Sequence, residues 1–290
     1  MNYPVSTSIH FRFDTDYKVS LNDQISRIID GGFRYLDFNF LDWNADRRSP
    51  FVGPDWERWI DGAGELAAKR GVKFNQAHAP VYNGLRYEGC TQEDIHEFQL
   101  RAIRACAKLG IPWMVYHAIY HDNTDDFSIN HETFDPLLEE ARRCGVGMAF
   151  ENTWVTLQQY RLWRTEDLIE LADSYNDPLV GICWDTGHCN VYGGIPELRK
   201  YTDQYREIMK LGKRLKALHI DDNNGYVDDH IAPYDGIIDW NSVMRALRDV
   251  GYEHSFTFEA HNAVRRVPEC LADERIAYMK RLGDTLVALV

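Results

Sequence analysis

The stretch VGICWDTGHCN, residues 180–190, combines a strand-like run with a polar ending. Its first half is rich in apolar and β-branched residues, which is typical of a buried strand. The run ends at Asp185, and His188 follows three residues later. An aspartate at the end of a strand is often only the cap of the next helix, so one such segment decides little. The same ending on several other strands would instead indicate a shared functional site.

Short apolar or β-branched runs like this one recur along the chain. They cover residues 5–11, 33–40, 72–79, 112–119, 147–153, 179–186, 215–222 and 255–262. The segments between them show helical periodicity, and a glycine that can end a helix often precedes the next run. Eight strands alternating with eight helices predict a single (β/α)8 TIM barrel over residues 1–290. A doubly wound open sheet is the competing architecture, but no GxGxxG motif follows the first strand.

The composition is that of an acidic globular protein. Its 32 Lys and Arg residues and 45 Asp and Glu residues give a formal net charge of −13. DNA binding usually needs a basic surface, so we expect a small, neutral ligand and no nucleic acid. The absence of an apolar run of about 18 residues predicts no contact with a membrane. Six scattered cysteines without a CxxC pair, and an N-terminal stretch without a signal core, predict a cytoplasmic protein.

Carboxylates and imidazoles are concentrated at the predicted carboxyl ends of the strands, where TIM-barrel enzymes place their active sites. The ending at Asp185 is therefore one of a series that comprises His78, His117, Glu151, Asp185 with His188, His219 and Glu259. His10, near the end of the first run, is either a packed histidine or a substrate contact.

Four consecutive strands in this series deliver Glu151, Asp185, His219 and Glu259 to one ring around the barrel mouth. Three carboxylates and an imidazole brought together without a counter-ion would repel one another, and a divalent cation removes that penalty. Mixed oxygen and nitrogen donors suit one such ion. We take Mn²⁺ as the first choice, with Co²⁺, Mg²⁺ and Zn²⁺ as alternatives.

Several motifs together resemble the xylose isomerase-like TIM-barrel superfamily, which includes sugar isomerases, ketose 3-epimerases and endonuclease IV. The motifs are NQAHAP, VYHA, FENT, WDTGH, LHIDDNNG, DDHIAPYDGIIDW and FTFEAH. The resemblance extends from about the second strand to the last helix. Each motif alone is weak, but WDTGH, the His-Asp-Asn run in LHIDDNNG and the D-G-x-I-D-W segment are specific as a set.

The resemblance implies roles for the residues at the strand ends. In the epimerases of this superfamily, one metal is held by Glu, Asp, His and Glu, which match Glu151, Asp185, His219 and Glu259. The metal would polarise the substrate, and the two glutamates would exchange a proton through a cis-enediolate. His188 would bind a substrate oxygen or, alternatively, orient Asp185. Other expected substrate contacts are His78, His117, Asp228, His230 and Trp43. Trp43 belongs to an aromatic cluster, and the alternative is that this cluster only covers a helix.

The function predicted from this resemblance is a metal-dependent isomerase or epimerase of a sugar or polyol carbonyl compound. The same enediolate would also serve a dehydratase of the inosose or dehydroshikimate kind, or a lyase that deglycosylates 3-keto glycosides. Endonuclease IV is the rival within the superfamily, because it holds three zinc ions and this chain has additional histidines at matching positions. A barrel that only binds a ligand would be expected to lack one of the two glutamates, and both are present. A homo-oligomer is left open.

Overall fold

The computed structural model describes residues 3–8, 20–43, 48–81, 90–120, 126–158 and 161–289. His10 and the end of the first predicted strand lie outside these ranges. The described strands are β1 (Val5–Ser8), β2 (Tyr35–Asn39), β3 (Lys73–His78), β4 (Trp113–His117), β5 (Gly147–Glu151), β6 (Val180–Asp185), β7 (Leu215–His219) and β8 (Phe256–Phe258). Each lies inside one of the eight predicted runs. The seven runs whose ends are described extend past the carboxyl ends of their strands, because the chain leaves the sheet at or next to the polar residues.

The eight strands form one parallel sheet in the order β7-β6-β5-β4-β3-β2-β1-β8. The first and last strands of this order, β7 and β8, are joined by hydrogen bonds just beyond their carboxyl ends. There, Ile220 N donates to Thr257 O at 2.8 Å, and Glu259 N donates to Ile220 O at 3.2 Å. These bonds bring β7 and β8 together and curl the sheet into a nearly closed barrel. The predicted (β/α)8 TIM barrel is confirmed.

A helix follows each strand and covers the outside of the barrel. The described helices are α1 (Leu21–Asp30), α2 (Trp56–Arg70), α3 (Gln92–Leu109), α4 (Asp126–Cys144), α5 (Thr165–Ser174), α6 (Thr186–Asn190), α7 (Gln204–Leu211), α8 (Trp240–Val250), α9 (Asn262–Arg265) and α10 (Ala272–Val287). The short helices α6 and α9 are additions at the barrel mouth that periodicity did not predict. Among the described residues, no helix combines the length and apolar character needed to cross a membrane.

Helix α3 illustrates how local sequence sets the element boundaries. The Thr91 hydroxyl accepts a bond from Asp94 N, and the Asp94 carboxylate accepts one from Thr91 N, which together form a capping box. At the other end Gly110 adopts a left-handed conformation with a φ of 70°. These local contacts set the two ends of α3.

The aromatic residues after β2 pack over α2 and α3. Phe40 and Phe51 are fully buried, and the Trp43 and Trp59 rings lie 4.8 Å apart. Phe51 also contacts Phe98 of α3, at a ring distance of 6.1 Å. Such packing is expected of an aromatic cluster that covers the helices beneath it. Trp43 is itself only 3 % exposed, and its contact with a substrate stays a prediction.

Candidate active site

Four side chains at the carboxyl ends of neighbouring strands form the centre of the site. Glu151 ends β5, Asp185 ends β6, His219 ends β7, and Glu259 directly follows β8. All four are buried, with exposed fractions between 0 % and 7 %. They converge because the strands of a parallel barrel all end at the same face.

The imidazole of His219 lies in the middle of this group. Its Nδ1 is 2.7 Å from Glu151 Oε1, 3.0 Å from Glu259 Oε2 and 4.0 Å from Asp185 Oδ2. One ligand atom from each of the four residues lies within 4.8 Å of the others. Asp185 Oδ2 is buried and has no hydrogen-bond partner among the described residues. This unsatisfied oxygen belongs to a group of three carboxylates and one imidazole. Such a set of donor atoms fits a divalent cation.

The surroundings of the centre shift the pKa values of its three carboxylates in different directions. Burial alone would raise the pKa of Glu151, but the imidazoles of His219 and His117 hold it well below its usual value. The pKa of Glu259 is lowered in the same way, chiefly by His219 against the effect of burial. Burial and the nearby Asp221 carboxylate raise the pKa of Asp185 well above its usual value. A cation beside Asp185 would favour its ionised form, which the surrounding carboxylates disfavour.

Asp185 is both a helix cap and a member of the centre. Its Oδ1 accepts a bond from His188 N at 2.6 Å and so caps α6, while its Oδ2 faces His219. The side chain of Asn152 holds the Asp185 backbone on both sides, at 2.7 Å from Asp185 N and 3.0 Å from Asp185 O. Sequence reasoning missed Asn152. Its position directly after Glu151 in FENT was the available signal.

A second group joins the centre through Glu151. His117 Nε2 lies 2.8 Å from Glu151 Oε2 and 3.2 Å from His78 Nε2. The Nδ1 of His78 lies 2.8 Å from the carbonyl oxygen of Ala79, which accepts a bond from it. The ligand atoms of His78, His117 and Glu151 all lie within 4.8 Å of one another, which is close enough to hold a second ion.

A third group consists of His188, Asp228 and His230, and it adjoins the centre through His188, whose Nδ1 lies 3.6 Å from Glu151 Oε1. Asp228 Oδ2 is 2.8 Å from His230 Nε2 and 3.5 Å from His188 Nε2. Burial would raise the pKa of Asp228, but its bonds to the two histidines lower it. His230 has a φ of 44°, a conformation uncommon outside glycine that is often found at functional sites.

Two further residues near the third group were missed by sequence reasoning. Asp221 is fully buried, and its Oδ2 lies 2.5 Å from His230 Nδ1. Burial, opposed by His230, raises the pKa of Asp221 to about 6. The ring of Trp154 lies 4.9 Å from that of His188. Asp221 follows His219 by two residues, but no local pattern showed that its side chain turns toward His230.

The contacts link nine of the ten predicted site residues into one network at the barrel mouth. These are His78, His117, Glu151, Asp185, His188, His219, Asp228, His230 and Glu259. Trp43 packs against Trp59 in the aromatic cluster. The chemical roles of all ten residues stay predictions.

A parallel barrel with carboxylates and imidazoles grouped at its mouth defines a TIM-barrel protein whose mouth could hold a cation. A family model described as xylose isomerase-like TIM barrel matches residues 26–282. The chain belongs to this family.

Known proteins similar to this chain include two bacterial relatives and a solved structure. Uncharacterized protein y4fM of Sinorhizobium fredii is 26% identical over 257 residues, which cover 78% of each chain. A D-psicose 3-epimerase of Enterocloster bolteae is 28% identical over 149 residues, which cover 51% of this chain and 44% of the epimerase. The structure of a D-tagatose 3-epimerase-like protein superposes with a TM-score of 0.73 at 20% identity, covering 99% of this chain and 98% of the other. The structural likeness supports the fold.

Proposed function

We propose that this protein is a metal-dependent epimerase or isomerase of a sugar or related polyol carbonyl compound. One observation carries the proposal: carboxylates from β5 and β8, Glu151 and Glu259, lie 2.7 Å and 3.0 Å from the same imidazole nitrogen. They therefore flank one small space at the barrel mouth. The similarity to a D-psicose 3-epimerase and to a D-tagatose 3-epimerase-like protein supports this class of reaction.

Glu151, Asp185, His219 and Glu259 would hold one divalent ion, for which we propose Mn²⁺ because most of these donors are carboxylate oxygens. When bound, the ion supplies a Lewis acid next to the substrate's carbonyl group.

The two glutamates move the proton. One takes it from the carbon next to the carbonyl. The electron pair of that C–H bond then forms a carbon–carbon double bond while the π pair of the C=O bond moves onto its oxygen, which gives a cis-enediolate. The other glutamate returns a proton from the opposite face, which inverts that carbon. Both carboxyls have lowered pKa values, so both are ionised and able to accept a proton near neutral pH.

The residues around the centre would hold the substrate. His188 and His230 present ring nitrogens next to Asp228, and the ring nitrogens of His78 and His117 lie 3.2 Å from each other. These groups can donate hydrogen bonds to hydroxyl oxygens or accept them from hydroxyl hydrogens. Such a lining suits a neutral polyhydroxy compound.

The test is a screen of aldoses, ketoses, inososes and 3-keto glycosides with Mn²⁺-loaded protein, followed by NMR in D₂O. We expect one compound to be converted to its epimer or isomer with deuterium incorporated at carbon. Glu151→Gln and Glu259→Gln should each lower turnover by about 10²–10⁴-fold while keeping part of the metal affinity. Glu207→Gln is the control, because Glu207 is a buried carboxylate whose hydrogen bonds go to Thr165 and Lys210 and not to the four proposed ligands.

Two results would contradict the proposal. Near-normal turnover of both glutamate variants with metal bound would show that these residues are ligands only. Loss of water or of an aglycone, with no epimer formed, would assign the site to a dehydratase or a lyase instead.

A second candidate function is cleavage of DNA at abasic sites, as in endonuclease IV. The observation that favours it is the presence of two further groups able to hold an ion, one around His117 and one around Asp228. The net charge of −13 opposes it, because phosphate binding requires cationic side chains. We expect no nicking of an abasic duplex at low salt with Zn²⁺-loaded protein, and efficient cleavage there would favour the endonuclease.

A further inference from the structure

Asp37 is a carboxylate in the interior of the barrel that the proposed reaction does not use. It lies in the middle of β2 and is 1 % exposed. Its neighbours Leu36 and Phe38 are fully buried on the other face of the sheet, where Phe38 meets Trp59 of α2. Burying a carboxylate is costly unless its partners compensate, so its surroundings should show its purpose.

The partners of Asp37 lead to the metal centre. Its Oδ2 accepts a bond from Gln76 Nε2 at 3.1 Å and lies 3.6 Å from His219 Nε2. Gln76 Nε2 also donates to Leu218 O at 3.1 Å, which ties this group to the residue before His219. Within the described residues, neither Asp37 Oδ1 nor His219 Nε2 has a hydrogen-bond partner, although both atoms are buried.

The two nitrogens of His219 have different surroundings. Nδ1 lies between Glu151 and Glu259, so Nδ1 is the nitrogen that would face a bound cation. A neutral imidazole that binds a cation through Nδ1 carries its proton on Nε2. That proton points to the side of the ring where Asp37 lies. The ring is also nearly parallel to that of His78, with the two ring centroids 5.6 Å apart and an interplanar angle of 6°.

We infer that Asp37 is a positioning residue for the metal centre and accepts the Nε2 proton of His219. The inference rests on the metal site of the proposed function. A histidine that binds a metal usually donates its other N–H to a carboxylate, backbone carbonyl or water, which fixes the ring and makes it a stronger ligand. The 3.6 Å separation exceeds a hydrogen bond by about 0.5 Å, a shift that a small rotation of the ring provides. The alternative is that Asp37 serves only to hold Gln76.

The first test measures metal binding in the full chain rather than turnover. Titration calorimetry with Mn²⁺ should give Asp37→Asn a Kd about 10–100-fold higher than that of the unaltered protein. The visible absorption of bound Co²⁺ should change as well, because the ligand ring is no longer fixed. Glu207→Gln, which removes a buried carboxylate elsewhere, should bind Mn²⁺ within about twofold of the unaltered protein. A Kd for Asp37→Asn within that same twofold range would overturn the inference.

The second test does not depend on a variant that folds. In the unaltered protein labelled with ¹⁵N-histidine and loaded with Zn²⁺, NMR should show the His219 Nε2 protonated and its proton shifted strongly downfield. A proton on Nδ1 instead, or no binding of Mn²⁺ or Zn²⁺ by the unaltered protein, would overturn the inference. If no sugar is epimerised but Asp37→Asn still weakens metal binding, the proposed function fails while the role of Asp37 stands.

Discussion

At the scale of single residues, Asp222 organises the loop that carries Asp228 and His230. Both of its oxygens are saturated by donors from that loop and from the start of α8: Asn223 N at 2.8 Å, Ile238 N at 3.2 Å, Tyr234 N at 3.1 Å and Trp240 Nε1 at 2.9 Å. Asp222 is fully buried, so water cannot replace it as the acceptor. The loop conformation therefore depends on one carboxylate with two acceptor oxygens.

Asp222→Asn should destabilise the protein, because the amide NH₂ would face two donors that need an acceptor. Each unsatisfied buried donor costs about 1–3 kcal/mol, so we expect the free energy of unfolding in urea to fall by about 2–4 kcal/mol. Asp249→Asn is the control, since Asp249 contacts Arg248 and Tyr205 at the surface and should change stability by less than about 0.5 kcal/mol. A loss below about 1 kcal/mol for Asp222→Asn would contradict this role.

At the scale of elements, the short helix α6 decides how the third group of the site is built. It places His188 directly above the end of β6, and the close approach of Asp221 to its first turn is possible because residue 187 is glycine. A Cβ on Gly187 would overlap the Asp221 carboxylate. Since Asp221 in turn contacts His230, a side chain here would disturb the mouth as well as the helix.

Gly187→Ala should therefore lower stability, although alanine is the better helix former by about 1 kcal/mol. We expect a loss of at least about 2 kcal/mol in denaturant unfolding, together with weaker binding of Mn²⁺. Gly62→Ala in α2 is the matched control, because a Cβ there meets nothing within 4 Å. That variant should be unchanged or stabilised by up to about 1 kcal/mol. Equal effects of the two substitutions would contradict the steric explanation.

At the scale of the whole molecule, the barrel brings buried acidic groups from several strands to one end. Glu151 and Asp185 end strands β5 and β6, and Glu259 directly follows β8, so their mutual repulsion acts on the closure of the barrel itself. A cation bound only by the folded barrel must stabilise the fold by mass action. The proposed metal binding would therefore be linked to global stability.

Removing the metal should lower the thermal stability of the protein. With Mn²⁺ at about 100 times its Kd, the folded state gains about 2.7 kcal/mol, which for a chain of this size raises Tm by about 5 °C relative to protein in EDTA. Differential scanning calorimetry measures the shift. Asp185→Asn should show a smaller shift at the same Mn²⁺ concentration, because one anionic ligand is lost. The absence of any shift with Mn²⁺, Co²⁺ or Zn²⁺ would contradict a metal centre.

Much of this protein could be predicted from local sequence patterns. The capping box at Thr91 and the glycine at position 110 set α3 through contacts a few residues apart. The strand ends at Glu151, Asp185 and His219 could be aligned because parallel strands in a barrel end at one face, so a position along the chain also specifies a position in space. The set of residues at the mouth follows from this topology and needs no knowledge of side-chain packing.

What only the tertiary structure decided is which groups face one another. Three contacts join residues far apart in the chain. Asp37 approaches His219, and Asn152 holds the backbone of Asp185. The third is the close packing of Gly187 against Asp221. In sequence, Asp37 is one polar residue in an apolar strand, and nothing local distinguishes a buried carboxylate from a solvated one. Burial and hydrogen-bond partners are set by packing between strands and helices that no short window of sequence contains, so the partners of a buried polar group are known only once the barrel has closed.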